Sequence, residues 1–188
     1  MLSFLQDLDT ELLLLLNGQW SDFWDTFWLY VTDQHAWWWF YLILVFLIFK
    51  FRPFKEALVF TTVLVVFLAL NDQLLNFIKE ATGRLRPCNV EALRPYLHIL
   101  KCSSQGSFFS AHAAHSFLVA MSVVILLKKK LPFWIKIVLL VWALMTAYSR
   151  IYVGVHYPGD VAVGILEGIL LAWLVVKISD NIIQKLKK

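Results

Sequence analysis

The chain has 188 residues, 60% of them hydrophobic, with a mean hydropathy of +0.69. That leaves room for one compact domain and exceeds the apolar content of a soluble domain of this size. Seventeen Lys and Arg against thirteen Asp and Glu give a net charge of +4, but these cations lie between apolar runs, so the basicity reads as membrane topology plus a binding site rather than as a nucleic-acid surface. The composition predicts an all-α integral membrane helical bundle, a single domain over residues 1–188. No cleavable signal is expected, because Leu12–Leu16 follows no basic segment and precedes no small-residue cleavage site.

Residues 1–33 read as interfacial helices. Trp20, Trp24, Trp28 and Val31 recur at helical spacing, with Asp22, Asp25 and Asp33 elsewhere around the helix, as in an amphipathic segment lying among headgroups. Leu2, Leu5, Leu12 and Leu16 allow a similar helix before it, broken at Asn17-Gly18. Residues 36–79 hold the first two spans. Ala36 to Phe49 opens on the aromatic cluster Trp37-Trp38-Trp39-Phe40-Tyr41, and Glu56 to Lys79 carries Asn71, Asp72 and Asn76 in its last turns.

Residues 80–110 are too polar to span and form an extracytoplasmic loop bracketed by Cys88 and Cys102. A disulfide between them would close roughly a 15-residue loop and contribute about 3 kcal/mol; two free thiols are the alternative. Residues 111–178 supply three more spans: Ala111 to Leu127, stopped by Lys128-Lys129-Lys130, then Trp134 to Tyr152, and Gly159 to Val176. Residues 179–188 are expected to be a cytoplasmic tail. The bundle thus has five spans of roughly the length that ~30 Å of hydrocarbon requires. A sixth, over residues 11–31, would have to bury Asn17, Asp22 and Asp25. Lys50, Arg52, Lys55, Lys128 to Lys130, Lys177 and the C-terminal lysines collect at one end, the predicted cytoplasmic side. Lys79, Arg84, Arg86 and Arg150 fall at the other.

That second group marks a phosphate site. Arg86 grips an anion with two parallel hydrogen bonds while Lys79, seven residues earlier, acts as a point charge. Ser110 and Ala111 open the third span immediately before His112, where free backbone N–H groups and a hydroxyl can cradle an anion. Arg150 ends the fourth span, and His156 precedes Asp160 by four residues, the spacing at which a carboxylate holds Nδ1–H and leaves Nε2 free to attack. Arg84 is expected to be solvated, and His115 to serve packing. Asp72 and Glu167 should lie about 10 Å below the site, facing the bundle interior near Asn71 around a shared proton or water.

Lys79 with Arg86-Pro87, Ser110 with His112, and Ser149-Arg150 with His156 and Asp160 together resemble the type 2 phosphatidic acid phosphatase (PAP2) family over about half the chain, from Asp72 to Gly168. One departure is Ala111, where the family usually has glycine. The resemblance implies a metal-independent, cofactor-free hydrolase acting on a phosphoric ester or diphosphate bond. His156 is implied as nucleophile forming a phosphohistidine, Asp160 as its orienting acid and His112 as the proton donor. Lys79, Arg86, Ser110, Arg150 and the amide at Ala111 are implied as phosphate binders.

Its partners would be the bilayer and a lipid phosphate, with no nucleic acid: undecaprenyl pyrophosphate, phosphatidylglycerol phosphate or phosphatidic acid, with lipid A phosphatase or phosphotransferase as an alternative. The expected location is a bacterial inner membrane, with the site on the periplasmic face. A small transporter or lipid-binding scaffold is the rival from another class, and it has no use for both His112 and His156.

Overall fold

Helix boundaries follow local chemistry that the chain supplies at each end. In the computed structural model, which describes residues 2–18 and 20–188, these residues form seven α-helices and no strand: α1 (Leu2–Asn17), α2 (Asp22–Thr32), α3 (Trp38–Phe51), α4 (Phe54–Thr82), α5 (Ala111–Leu126), α6 (Phe133–Tyr152) and α7 (Pro158–Leu186). Ser21 and Ser110 cap α2 and α5 with their hydroxyls. Pro132 and Pro158 stand at the starts of α6 and α7, where a missing N–H costs nothing. Gly83 ends α4 at φ 57°, left-handed backbone that glycine adopts without strain.

The helices α4, α6 and α7, and α3 taken with the turn from Gln34, are long and apolar enough to cross a membrane. Helix α5 has 16 residues and is buried along most of its length. It is the centre around which α4, α6 and α7 pack. Burial alone does not hold helices together in lipid, so close backbone approach matters more. Gly164 and Gly168, four residues apart on α7, provide it. A Cβ at Gly164 would come within 2.6 Å of the Ser110 carbonyl, and one at Gly168 would overlap the carbonyl of Ala114. The outward faces carry Leu42 and Phe46 on α3, Val65 and Leu70 on α4, Leu144 on α6, and Leu170 on α7, an exposed apolar surface suited to lipid.

The membrane-embedded all-helical architecture agrees with the sequence reading: the chain breaks between Asn17 and Asp22, so residues 11–31 do not form one helix. Two differences stand beside that agreement. Helix α7 runs ten residues past Val176 to Leu186, since Ile178, Ile182 and Ile183 keep its helical pattern going through the charged end. The N-terminal helices are docked on α6 and α7 rather than merely lying beside them. Asn17, 1% exposed, is the rivet: its Nδ2 donates to the carbonyls of His98, Ile151 and Tyr152 at 3.0, 3.1 and 2.7 Å, and its Oδ1 accepts from His98 N at 2.7 Å. The Tyr152 carbonyl is an orphan of the α6 terminus, while that of Ile151 also accepts from Gly154 N.

At the lysine-rich end, Arg52 pairs with Glu56 and Asp180, and Lys187 with Glu56, tying α3, α4 and α7. The site lies at the opposite end. There the 80–109 segment folds over the helix tips, pinned by a Cys88–Cys102 disulfide whose Cα atoms are 5.9 Å apart.

Candidate active site

Four helix ends converge: the last turn of α4 with Lys79, the first of α5 with His112, the last of α6 with Arg150, and the first of α7 with Asp160. His156 sits in the tight connection between α6 and α7. Val155 N and His156 N both donate to the Arg150 carbonyl at 3.2 Å. Gly154 makes the turn at φ 80°, in a space where a Cβ would meet the His98 carbonyl at 3.0 Å.

The imidazole of His156 is 2% exposed and Asp160 is fully buried. Asp160 Oδ2 lies 3.4 Å from His156 Nδ1 and accepts from Ser107 Oγ and, at 3.1 Å, from Tyr157 N. With Nδ1 turned to the carboxylate, Nε2 is the free nitrogen. Burial depresses the imidazole pKa to about 4, outweighing the opposing pull of the Asp160 hydrogen bond. His156 is therefore neutral at physiological pH, the form with a lone pair to offer.

A cavity of about 310 Å³ is lined by His112, Arg86 and Arg150 together with Thr32, His35 and Ser103. Arg86 Nε is anchored on the Gln105 carbonyl at 3.0 Å, and Arg150 Nη1 on Thr32 Oγ1. Arg150 Nε is buried with no partner among the described residues. Two guanidiniums fixed on one small cavity, with an imidazole in its wall, are an arrangement able to hold an anion.

The sequence-predicted residues do not all share that cavity. Lys79, 7% exposed, borders a neighbouring cleft of about 650 Å³ with Gly83, Arg84 and Gln105. Ser110 is fully buried; its hydroxyl faces Ala113 N and its backbone N donates to the Asp160 carbonyl at 3.1 Å, so it joins the start of α5 to that of α7. Ala111 lies beside it, packed with Leu75 and Phe109. His115 lines a third, apolar cavity.

Two expectations are corrected. Arg84 is not solvated: Nη1 donates to Asp160 Oδ1 at 2.6 Å, Nη2 to Asp9 Oδ2 at 2.7 Å, and the guanidinium covers the Tyr157 ring at 4.1 Å. Asp9 also accepts from Gly159 N at 2.6 Å, so α1 reaches the buried carboxylate through Arg84. Asp72 is exposed and does not face the interior, because it follows Asn71 by one residue and so points about 100° away around α4. Asn71 does reach Glu167 Oε2, at 3.4 Å. Sequence reasoning missed Asp9, Thr32 and Ser107. None has a local motif, and each reaches its partner across more than 50 residues.

A polytopic helical bundle whose buried imidazole–carboxylate pair stands behind an arginine-lined cavity at one membrane face defines a membrane protein built to handle an oxyanion. Its sequence matches the PAP2 superfamily over residues 57–184, and the chain belongs to that family. It is 34% identical over 191 residues to the lipid A 4'-phosphatase of Bacteroides thetaiotaomicron, covering 100% of this chain and 84% of that protein. The crystal structure of Aquifex aeolicus LpxE superposes with a TM-score of 0.67 at 27% identity, covering 89% of this chain and 93% of that one. The transmembrane PAP2-type phosphatidylglycerolphosphate phosphatase from Bacillus subtilis gives a TM-score of 0.74 at 23% identity, over 95% and 87% of the two chains, which marks a shared fold.

Proposed function

We propose that the chain is a membrane lipid phosphatase that removes phosphate from a lipid phosphomonoester or diphosphate at this site, on the periplasmic face of a bacterial inner membrane. The observation that carries the reading is the buried His156, held at Nδ1 by Asp160 beside the cavity of Arg86, Arg150 and His112. Family membership and the full-length likeness to a lipid A 4'-phosphatase support it. That likeness favours a phosphorylated glycolipid among the candidate substrates, ahead of phosphatidylglycerol phosphate, phosphatidic acid and undecaprenyl pyrophosphate.

In this mechanism the Nε2 lone pair of His156 attacks phosphorus in line and the bond from phosphorus to the lipid oxygen breaks. His112 gives a proton to that oxygen, so the lipid alcohol leaves neutral, or the lipid monophosphate leaves when the substrate is a diphosphate. His112 then takes a proton from water as the water attacks the phosphohistidine, releasing inorganic phosphate and regenerating free His156. Arg86 and Arg150 hold the phosphoryl oxygens as charge spreads over them. Lys79 adds positive potential from behind. No step requires a metal ion.

The test is phosphate release from a panel of lipid phosphates in detergent with chelator present, comparing wild type with His156→Ala and His112→Ala. His156→Ala should abolish both turnover and any acid-labile phosphoprotein in rapid-quench samples. Equal release by wild type and His156→Ala would end the proposal.

A further inference from the structure

Below the arginine cavity, α3, α4 and α5 enclose an apolar cavity of about 390 Å³, walled by residues such as Leu44, Ile48, Leu64 and Val119. Gln34 lines both this cavity and the arginine cavity, so the two adjoin at that residue. A molecule with its phosphate between Arg86 and Arg150 has an apolar slot next to it, across Gln34, that suits its chain. One wall of that slot is out of character. His115 Nε2 is buried and meets no hydrogen-bond partner among the described residues, an arrangement that leaves a polar atom's desolvation uncompensated.

His115 lies three residues after His112 on α5, about 4.5 Å further from the membrane surface by helical rise. In an acylated glycerol or amino sugar, a few bonds separate phosphorus from the nearest ester or amide carbonyl, a distance of the same order. A prenyl chain carries no oxygen at that depth, or anywhere along its length. We infer that His115 Nε2–H donates to the acyl carbonyl nearest the phosphate, so the enzyme selects acyl-bearing lipid phosphates over prenyl phosphates. The inference rests on the phosphatase reading above and narrows its substrate class.

The test compares dioleoyl phosphatidic acid with its di-O-alkyl ether analogue, which keeps chain length and headgroup but lacks both carbonyls, and adds undecaprenyl pyrophosphate as a third substrate. Wild type should prefer the ester by roughly tenfold in kcat/KM, mainly through KM, as expected for one hydrogen bond made to a group otherwise left unpaired. His115→Leu should lose that preference by slowing the ester substrate while leaving ether turnover near wild type. His115→Gln, which keeps an N–H donor, should recover part of it. The prenyl substrate should be insensitive to both changes. Equal kcat/KM for ester and ether in wild type, or a His115→Leu variant that slows both alike, overturns the inference while phosphatase activity stands. Absence of phosphate release from all three substrates overturns the inference, and absence of release from a phosphorylated acyl glycolipid as well overturns the phosphatase reading with it.

Discussion

Replacing Arg84 by Met tests whether the buried carboxylate behind His156 is held from outside the motif residues. The substitution keeps most of the side-chain volume and the packing on Tyr157 but removes the two short bonds to Asp160 and Asp9, at 2.6 and 2.7 Å. A hydrogen bond between charged groups contributes about 1.5–3 kcal/mol. Asp160 keeps Ser107 and Tyr157 N as donors, so the carboxylate remains in place but is less firmly aimed at His156.

If that energy is expressed in the orientation of the nucleophile, kcat falls roughly 10- to 100-fold. KM should stay within about twofold, because both terminal nitrogens of Arg84 are already engaged by carboxylates. Asp9→Asn should give a smaller loss of the same kind, and the double variant should lose less than the product of the two, since both act through one chain of contacts. The assay is steady-state phosphate release from a lipid phosphate in detergent, with thermal stability measured alongside. A kcat within twofold of wild type for a folded Arg84→Met protein would refute the reasoning. So would a large rise in KM at unchanged kcat, which would mean that Arg84 grips the phosphate itself.

Three further outcomes are expected. Because the His156 pKa is depressed to about 4, the nucleophile stays neutral as pH falls through the ordinary histidine range. The acid limb of kcat/KM should therefore lie near pH 4 after correction for the substrate's own ionisation near pH 6, and a His156-dependent loss centred near 6.5 would contradict the burial argument. Gly168→Ala should cost about 1–3 kcal/mol and lower the yield of folded protein, since its Cβ meets the α5 backbone at Ala114 and Leu118; unchanged melting in detergent would show that α7 can shift. Asn17→Leu removes four hydrogen bonds, two to the α6 terminus and two to His98, and should destabilise by about 2–4 kcal/mol, read as a lowered melting temperature and faster proteolysis after α1.

The residues that were legible in the sequence owe their visibility to fixed spacing along single helix ends. His156 and Asp160 are four residues apart, so local geometry sufficed to pair them, whereas Lys79 and Arg86 flank one helix terminus yet border different hollows. Arg84 had no such neighbour. Its partners are 75 and 76 residues away, and an arginine in a polar loop looks solvated until α1 is folded back over it. Asp72 failed for the opposite reason: hydropathy gives the depth of a residue in a span, whereas the face it occupies depends on which neighbours pack there. Residues 179–188 read as a tail from their charge, and the isoleucine spacing that carries α7 helically on to Leu186 is masked there by the lysines. Gly164 and Gly168 carry no side chain to signal a role in the sequence, and only the structure identifies α5 as the helix they press against.

The two hollows that flank the arginine cavity differ in what they open to. The cleft beside Lys79 and Arg84 is lined largely by polar side chains at the helix tips, whereas the cavity beneath is apolar and lies between helices. In the proposed reaction the two products part by solubility: inorganic phosphate leaves into water, and the dephosphorylated lipid slips back into the leaflet. Each product then has its own way out, and neither has to pass the other to leave. The position of the site separates the exits, while the direction of the reaction follows from the free energy of hydrolysis and the dilution of phosphate into water.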